Sequence, residues 1–193
     1  REGLLKVHEA AAAWFRQQLA TPAGARIRTQ ISGRGITDAT SEAVGLGFAP
    51  PARDGLKQAL LNQGFSQALL LRAGLLVQRD DGTVIDRFRN RLMIPISRDT
   101  GSVIAFGGRA IDADQQPKYV NSPETPIYSK GRTLYGLHLS KAAVRKLGFA
   151  VLVEGYFDFA QVFQTQAAPV VASCGTALTA QQAHLLRRFT NKV

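Results

Sequence analysis

Five groups of residues could do chemistry. The first is Glu154-Gly155-Tyr156-Phe157-Asp158, placed directly after the apolar run Ala150–Val153. Ligands of open α/β sheets collect at the carboxyl ends of strands, so a carboxylate there can hold Mg²⁺ or move a proton. Gly155 permits a sharp turn, and Asp158 falls in the first turn of the helix that follows. A plainer reading makes Glu154 an ordinary strand-end residue and Asp158 a partner for the helix dipole. On this pentapeptide alone the plainer reading is favoured, because E-G-x-x-D is a weak motif.

The second group is Arg87, Arg89 and Arg91. On a strand, residues two apart share a face and stand roughly 6.5–7 Å apart. Three guanidiniums so spaced would form a ladder for a phosphate backbone or a triphosphate; a solvated strand face weighs equally. The third group comprises Gly107-Gly108-Arg109, the stretch Pro117–Glu124 with Lys118, Tyr119 and Asn121, and Ser129-Lys130-Gly131-Arg132. Glycines let a backbone approach phosphate, and Lys and Arg supply charged donors. Tyr119 beside Lys118 offers a stacking face next to a phosphate contact, as in single-strand binders. The alternative is a long surface loop.

Gly33-Arg34-Gly35 is a fourth group, able to pin a phosphate but favoured as a plain turn. Ser173-Cys174-Gly175-Thr176 before a helix is the fifth, a candidate anion site or, more simply, a strand-to-helix link. Cys174 has no base nearby in sequence and reads as a small buried residue. His8 lies on an apolar helix face, and His138 and His184 lack ligand-like partners.

Charge gives these groups a common direction. Lys and Arg number 24 against 14 Asp and Glu, for a net charge of +10. The excess is concentrated in residues 85–147, which hold eleven basic and five acidic groups. Such a field favours polyanions: DNA, RNA, nucleotides or an anionic membrane. One cysteine excludes a disulfide framework, and no apolar run is long enough to span a membrane. Arg1 as the first residue reads as a piece of a longer protein.

The elements that must position these groups follow from periodicity. Residues 3–20 carry apolar positions three to four apart and predict an amphipathic helix. A tight loop is expected at Ile31–Ile36, then a helix near 38–44 capped by Thr37 or Asp38. Helices fit 54–63 and 67–73, the second opened by Ser66. From Leu75 the period becomes two: Asp81-Gly82 joins one hairpin and Asp99-Thr100-Gly101 another. Residues 112–133 read as loop. The last third changes character: a continuous apolar strand at 150–153, a helix 156–166, a strand 170–172 and a helix 179–189 opened by the Thr179/Gln182 capping box. Lys192-Val193 reads as the start of a third strand. This is a βαβα unit, with a boundary expected at 146/147.

The strings R-F-R-N-R-L-M-I-P-I (87–96), V-I-A-F-G-G-R (103–109), P-K-Y-V-N-S-P-E-T-P (117–126), K-G-R-T-L-Y-G-L (130–137) and V-E-G-Y-F-D (153–158) resemble the bacterial replicative primases of DnaG type. G-R-G-I (33–36) and S-C-G-T-A-L-T (173–179) agree. The resemblance is collinear over nearly the whole chain. It implies an RNA-polymerase core: a basic α+β N-terminal subdomain (1–146) that binds template and nucleoside triphosphates, then the start of an α/β TOPRIM fold (147–193). It implies synthesis of short RNA primers on single-stranded DNA from NTPs with Mg²⁺ or Mn²⁺. Glu154 would be the catalytic and metal-holding glutamate, with Asp158 the acid after it. Arg87, Arg89, Arg109, Lys118 and Lys130 would line the nucleotide cleft. Arg34, Arg91, Tyr119 and Asn121 would guide the template. A replicative helicase would be met through a domain outside these residues, at a replisome in the bacterial cytoplasm, with no membrane involved.

TOPRIM folds add a D-x-D pair after the next strand, and the chain ends at Asn191-Lys192-Val193, where that strand should begin. Two-metal phosphoryl transfer needs several oxygen ligands, so this segment alone is expected to bind metal weakly and polymerise poorly. Two other readings stay open: a non-catalytic single-strand-binding module, and another TOPRIM enzyme such as a topoisomerase or nuclease. None of the four tyrosines is placed as a topoisomerase nucleophile would be.

Overall fold

The computed structural model describes residues 1–175 and 177–193; Thr176, in the fifth group above, lies outside the described residues. The chain opens with α1 (Glu2–Ala20), a short 3₁₀ turn (Pro22–Gly24) and α2 (Ala25–Gly33). The expected tight loop at 31–36 is corrected: α2 runs on through Gly33, and only Arg34–Thr37 form the link to α3 (Asp38–Val44). The I-R-T-Q-I spacing carries too few apolar positions to reveal so short a helix; its two buried residues are Ile27 and Ile31. Thr37 caps α3 as expected, its hydroxyl accepting from Thr40 N–H at 3.2 Å.

Strand β1 (Gly47–Ala49) and helices α4 (Gly55–Asn62) and α5 (Gln67–Arg72) follow. Ser66 caps α5 through Leu69 N–H. The hairpin at Asp81-Gly82 joins β2 (Leu76–Gln78) to β3 (Val84–Asp86). The second hairpin joins β4 (Arg91–Ser97) to β5 (Val103–Ala110). The stretch 112–133 is not all loop: Tyr119–Asn121 form β6 against Gly107–Arg109 of β5. The principal sheet therefore runs β1-β4-β5-β6, all antiparallel.

This sheet is covered on both faces. Successive strand residues point to opposite sides. Leu92, Ile94 and Ile96 pack with Ile27, Ile31 and Ile36, and also with residues of the C-terminal segment. Met93 and Phe106 pack on the other side with Ala11 and Phe15 of α1. Burying each large apolar side chain contributes about 1.5–3 kcal/mol. Two glycines of β5 serve this packing. A Cβ on Gly107 would lie 2.8 Å from the Tyr156 hydroxyl, and one on Gly108 would lie 2.9 Å from Arg91 and Phe88 carbons.

The C-terminal segment holds α6 (Leu137–Leu147), which the sequence reading missed, then β7 (Val151–Val153), α7 (Tyr156–Thr165), β8 (Val170–Ala172) and α8 (Ala180–Arg187). β7 and β8 are parallel, so β7-α7-β8-α8 is the expected βαβα unit. Leu137 and Val144 of α6 share a buried cluster with Ala150, Val171 and Leu186. Ala150 N–H donates to Lys192 O at 2.9 Å, so the chain end returns beside β7 without forming a strand among the described residues. Phe159 and Ala160 of α7 belong to the same buried cluster as Ile94 and Ile104, so α7 packs directly on the principal sheet.

Candidate nucleic-acid and nucleotide interface

The expected arginine ladder at 87, 89 and 91 does not form. β3 ends at Asp86 and β4 begins at Arg91; between them Asn90 adopts φ 51, which no strand residue does. Arg87 donates Nε–H to Gly74 O at 2.7 Å and is half-buried. Arg91 is only 4% exposed, and its guanidinium donates to Gly108 O at 3.2 Å and Lys118 O at 3.4 Å. Burial lowers the pKa of both guanidiniums, and Arg89's charge adds to the effect at Arg91. Arg91 is thus a structural residue that ties β4 to β5 and to the lead into β6, a correction to its expected place on a template surface. Arg89 stays half-exposed, and its carbonyl accepts from Gln115 Nε2.

The glycines of Gly107-Gly108-Arg109 also have another use than expected. The room they leave is filled by Tyr156, Phe88 and the Arg91 stem, so no phosphate approaches the backbone there.

The remaining basic residues converge. Arg34, Arg109 and Lys118 line one cleft of about 520 Å³, together with Gln30, Asp112 and Gln115. Arg109 leads into it from β5, Lys118 from just before β6, and Arg34 from the end of α2. Asp112 is engaged elsewhere, bound to Arg26 at 2.6 Å and to Asn90 Nδ2 at 2.8 Å, which hold its carboxyl below the usual range. The three cations therefore face the cleft with little local compensation. Arg109 Nε is buried without a partner among the described residues.

Aromatic rings separate these cations. Arg34 Cζ lies 4.5 Å from the Phe157 ring centre, and Arg109 Cζ lies 5.4 Å from the same ring and 5.8 Å from that of Tyr119. Such cation–π contacts hold guanidiniums in place at a cost to neither charge. Tyr119 is 38% exposed, an aromatic face next to Lys118 and beside Arg109. Burial raises its phenol pKa, opposed in part by Arg109. Behind it, Tyr156 donates its hydroxyl to Asn121 Oδ1 at 3.2 Å, joining α7 to β6. Asn121 is thereby engaged in holding the two segments together.

Glu154 stands at the carboxyl end of β7, exposed, and lines a second open cleft of about 520 Å³ with Ser173, Gly175 and Leu178. Its carbonyl accepts from Cys174 N–H at 2.8 Å, which fixes β7 against the start of the β8–α8 link. Asp158 is exposed, and its Oδ2 accepts from Gly155 N–H at 3.1 Å, so it fills the helix-terminal role as well as being available to solvent. Both carboxylates are hard oxygen donors of the kind Mg²⁺ prefers, and Mg²⁺ takes few protein ligands beside phosphate and water. Among the described residues no group of three or more acidic, His or Cys side chains forms a metal cage.

Lys130 approaches this second cleft from the loop at 129–133; its Nζ lies 3.8 Å from where a Cβ on Gly175 would be. Gln182 of α8 donates to Lys130 O at 3.3 Å and Thr133 O at 2.8 Å and is fully buried. Cys174 is inert in this setting: burial pushes its thiol pKa up, against a smaller opposing pull from Lys130. His8, expected as a packing residue, is buried and stacks on Phe106.

Sequence reasoning missed Phe157, Gln161, Gln164 and Gln182 as parts of the site. The capping box at 179–182 was the one signal available for Gln182. The glutamines of α7 gave none, since an amide on a helix face is ordinarily solvated.

Comparison with known proteins completes the picture. The family model for the DNA primase catalytic core, N-terminal domain, matches residues 14–141. The DNA primase of Halalkalibacterium halodurans is 42% identical over 194 residues, covering 100% of this chain and 32% of that protein. The crystal structure of the RNA polymerase domain of Mycobacterium tuberculosis primase DnaG superposes with a TM-score of 0.92 at 38% identity, over 98% of this chain and 62% of that one. A DnaG primase catalytic domain bound to single-stranded DNA gives a TM-score of 0.90 at 37% identity, over 100% of this chain and 60% of that one. The chain spans about a third of the length of the curated relatives it matches. A collinear match of this depth, on a fold that carries the same mixed α+β core, means that the chain belongs to the DNA primase catalytic core family.

Proposed function

We propose that these residues form part of a primase that makes short RNA primers on single-stranded DNA by metal-dependent nucleotidyl transfer. The observation that carries this reading is the convergence of Arg34, Arg109 and Lys118 on one cleft, beside a helix that starts two residues after Glu154. The template strand would lie along this cleft, with Tyr119 stacking on a base and the cations meeting phosphates. Arg109 and Lys118, expected at the nucleotide, would meet template phosphates in this reading because they share the cleft with Arg34; Arg87, Arg89 and Lys130 would meet the triphosphate of the incoming nucleotide. A primer 3′-hydroxyl gives up its proton to water as its oxygen bonds to the α-phosphorus, and the bond from that phosphorus to the β-phosphate oxygen breaks, so pyrophosphate leaves. Glu154, with Asp158, would hold Mg²⁺ or Mn²⁺, an ion that neutralises charge developing on the phosphoryl group.

In this reading residues 1–146 form the template- and nucleotide-binding part and 147–193 the opening of the TOPRIM fold, with α6 packed across the division. A solved relative bound to single-stranded DNA supports the choice of template. Contact with a replicative helicase and a cytoplasmic, replisome-associated location belong to the same proposal; no described helix is long and apolar enough to cross a membrane. These 193 residues alone would bind metal weakly and polymerise poorly, because Asp158 commits one oxygen to Gly155 and two acids do not complete a two-metal ligand set.

The test is template-dependent synthesis of short RNA by the full-length protein. Glu154→Gln should reduce it roughly 10²-fold or more while leaving DNA affinity near normal. Full synthesis by that variant would overturn the role given to Glu154, and no synthesis by the parent would favour a binding-only module.

A further inference from the structure

Three side chains of α7, at positions 157, 161 and 164, recur at helical spacing and so lie on one face. All three meet the segment 34–37. The Phe157 ring lies under the Arg34 guanidinium. Gln161 Nε2 donates to Arg34 O. The Gln164 amide is used at both ends: Nε2 donates to Gly35 O at 2.8 Å, and Oε1 accepts from Thr37 N–H at 3.2 Å. The segment they hold has no sheet partner. It leaves α2 through Gly35 at φ +72 and re-enters helix at Asp38; its Arg34, Gly35 and Ile36 N–H groups bond back to α2 and Ile36 is buried, while the carbonyls of Arg34 and Gly35 and the Arg34 side chain are met by α7.

We propose that the Phe157/Gln161/Gln164 face of α7 is a positioning device for template binding. It fixes Arg34 relative to Arg109, which shares the Phe157 ring, so that two guanidiniums meet successive template phosphates at a set separation. This rests on the reading of the cleft given above. The physical reason for such a device is entropic: a long arginine side chain on a four-residue link loses much of its freedom on contact with phosphate, and pre-ordering removes that loss from the binding step. The ring serves to hold both because it receives two guanidiniums, at 4.5 and 5.4 Å from its centre, without neutralising either. A glutamine suits the link because its amide both donates and accepts, matching one carbonyl and one N–H two residues apart.

The experiment is binding of a fluorescein-labelled oligodeoxythymidine, read by anisotropy across a salt series. Gln164→Ala and Phe157→Leu are each expected to weaken binding roughly 3- to 10-fold and to lower the salt slope by about 0.7, the value for one lost single-strand phosphate contact. Phe157→Tyr, which keeps the ring, should bind as the parent does. In an Arg34→Ala background, Gln164→Ala should add no further loss. Gln164→Glu keeps the chain length and the acceptor but loses the donor to Gly35 O, so it reports on the contact even if the alanine variant folds poorly; it too should lower the slope. An unchanged slope in the Gln164 and Phe157 variants, with a lowered one in Arg34→Ala, would overturn this inference while sparing the cleft. An unchanged slope in Arg34→Ala itself would overturn the cleft reading.

Discussion

Asp86 caps a helix it does not belong to. It ends β3, is 3% exposed, and its two carboxylate oxygens accept from Leu56 N–H at 2.8 Å and Lys57 N–H at 2.9 Å at the start of α4. Asp54, the residue in the capping position by sequence, makes no such bond. Burial nevertheless dominates, and the capping bonds oppose it only in part, so the carboxyl is pushed up to about 6. The folded state therefore holds this proton more tightly than the unfolded chain, whose aspartates titrate near 3.9. Between about pH 4 and pH 6 the folded state binds the more protons, so Asp86 makes stability fall as pH rises through that window and is without further effect above it. Two units of separation correspond to about 3 kcal/mol.

Asp86→Asn isolates this contribution. The amide keeps one acceptor for the α4 N–H groups and loses the other, a cost of about 1 kcal/mol, while relieving the buried charge. The difference in stability, variant minus parent, should therefore move in the variant's favour by about 2 kcal/mol as pH rises from 4 to 6, out of about 3 kcal/mol over the whole titration, and end near 2 kcal/mol in its favour at pH 7. Asp86→Ala, by contrast, leaves two helix N–H groups unmet and should cost about 1–3 kcal/mol for each. Urea titration at a series of pH values measures these differences. The single tryptophan, Trp14, packs against Gly55 at the start of α4 and reports the transition by fluorescence. The opposite slope, a parent that gains on Asp86→Asn between pH 4 and 6, would mean that the helix terminus stabilises the carboxylate more than burial penalises it, and would refute the reasoning.

Gly107→Ala would place a methyl group 2.8 Å from the Tyr156 hydroxyl; displacing that ring should cost about 1–3 kcal/mol and break its bond to Asn121. A lowered thermal midpoint together with weaker single-strand binding checks this, and an unchanged midpoint would refute the close approach. Cys174 should resist alkylation at pH 8 in the native protein and react on unfolding, as its raised pKa and burial require; rapid native labelling with iodoacetamide would contradict that environment.

The parts of the fold that were legible in the sequence are those fixed by local rules. Thr37, Ser66 and Thr179 cap helices through bonds to backbone three residues on, a geometry that needs no tertiary partner. The parallel pair β7 and β8 announced itself by unbroken apolar runs. The arginine ladder failed because alternation at 87–91 reflects two causes at once. Phe88 is buried beneath a link, and Arg91 enters a strand whose seven residues are all covered. A period of two cannot tell a solvent-facing strand from a bend followed by a central strand. Helix α6 is hard to see for a related reason: its buried face is only Leu137, Ser140 and Val144, and the remaining positions are half-buried or exposed. The Asp86 cap and the Gly107 and Gly108 vacancies depend on what arrives from distant parts of the chain, which composition and spacing do not encode.

The arrangement of the basic residues follows from the way the two segments meet. Each helix of the C-terminal βαβα unit grips one loop of the preceding segment. Helix α7 takes Arg34–Thr37 through Gln161 and Gln164, and α8 takes Lys130–Thr133 through Gln182. Each gripped loop carries one cation of the candidate site, Arg34 in the first and Lys130 in the second. Glu154 is separated from α7 by Gly155 alone, so any shift of that helix along the principal sheet would move the carboxylate and the Arg34 loop together. Phe159 and Ala160, buried against that sheet's apolar face, resist such a shift, since displacing them would open a cavity in the core. The packing of one helix thus sets the distance between the acid and the basic cleft, and a core substitution at Phe159 should disturb both at once although it touches neither.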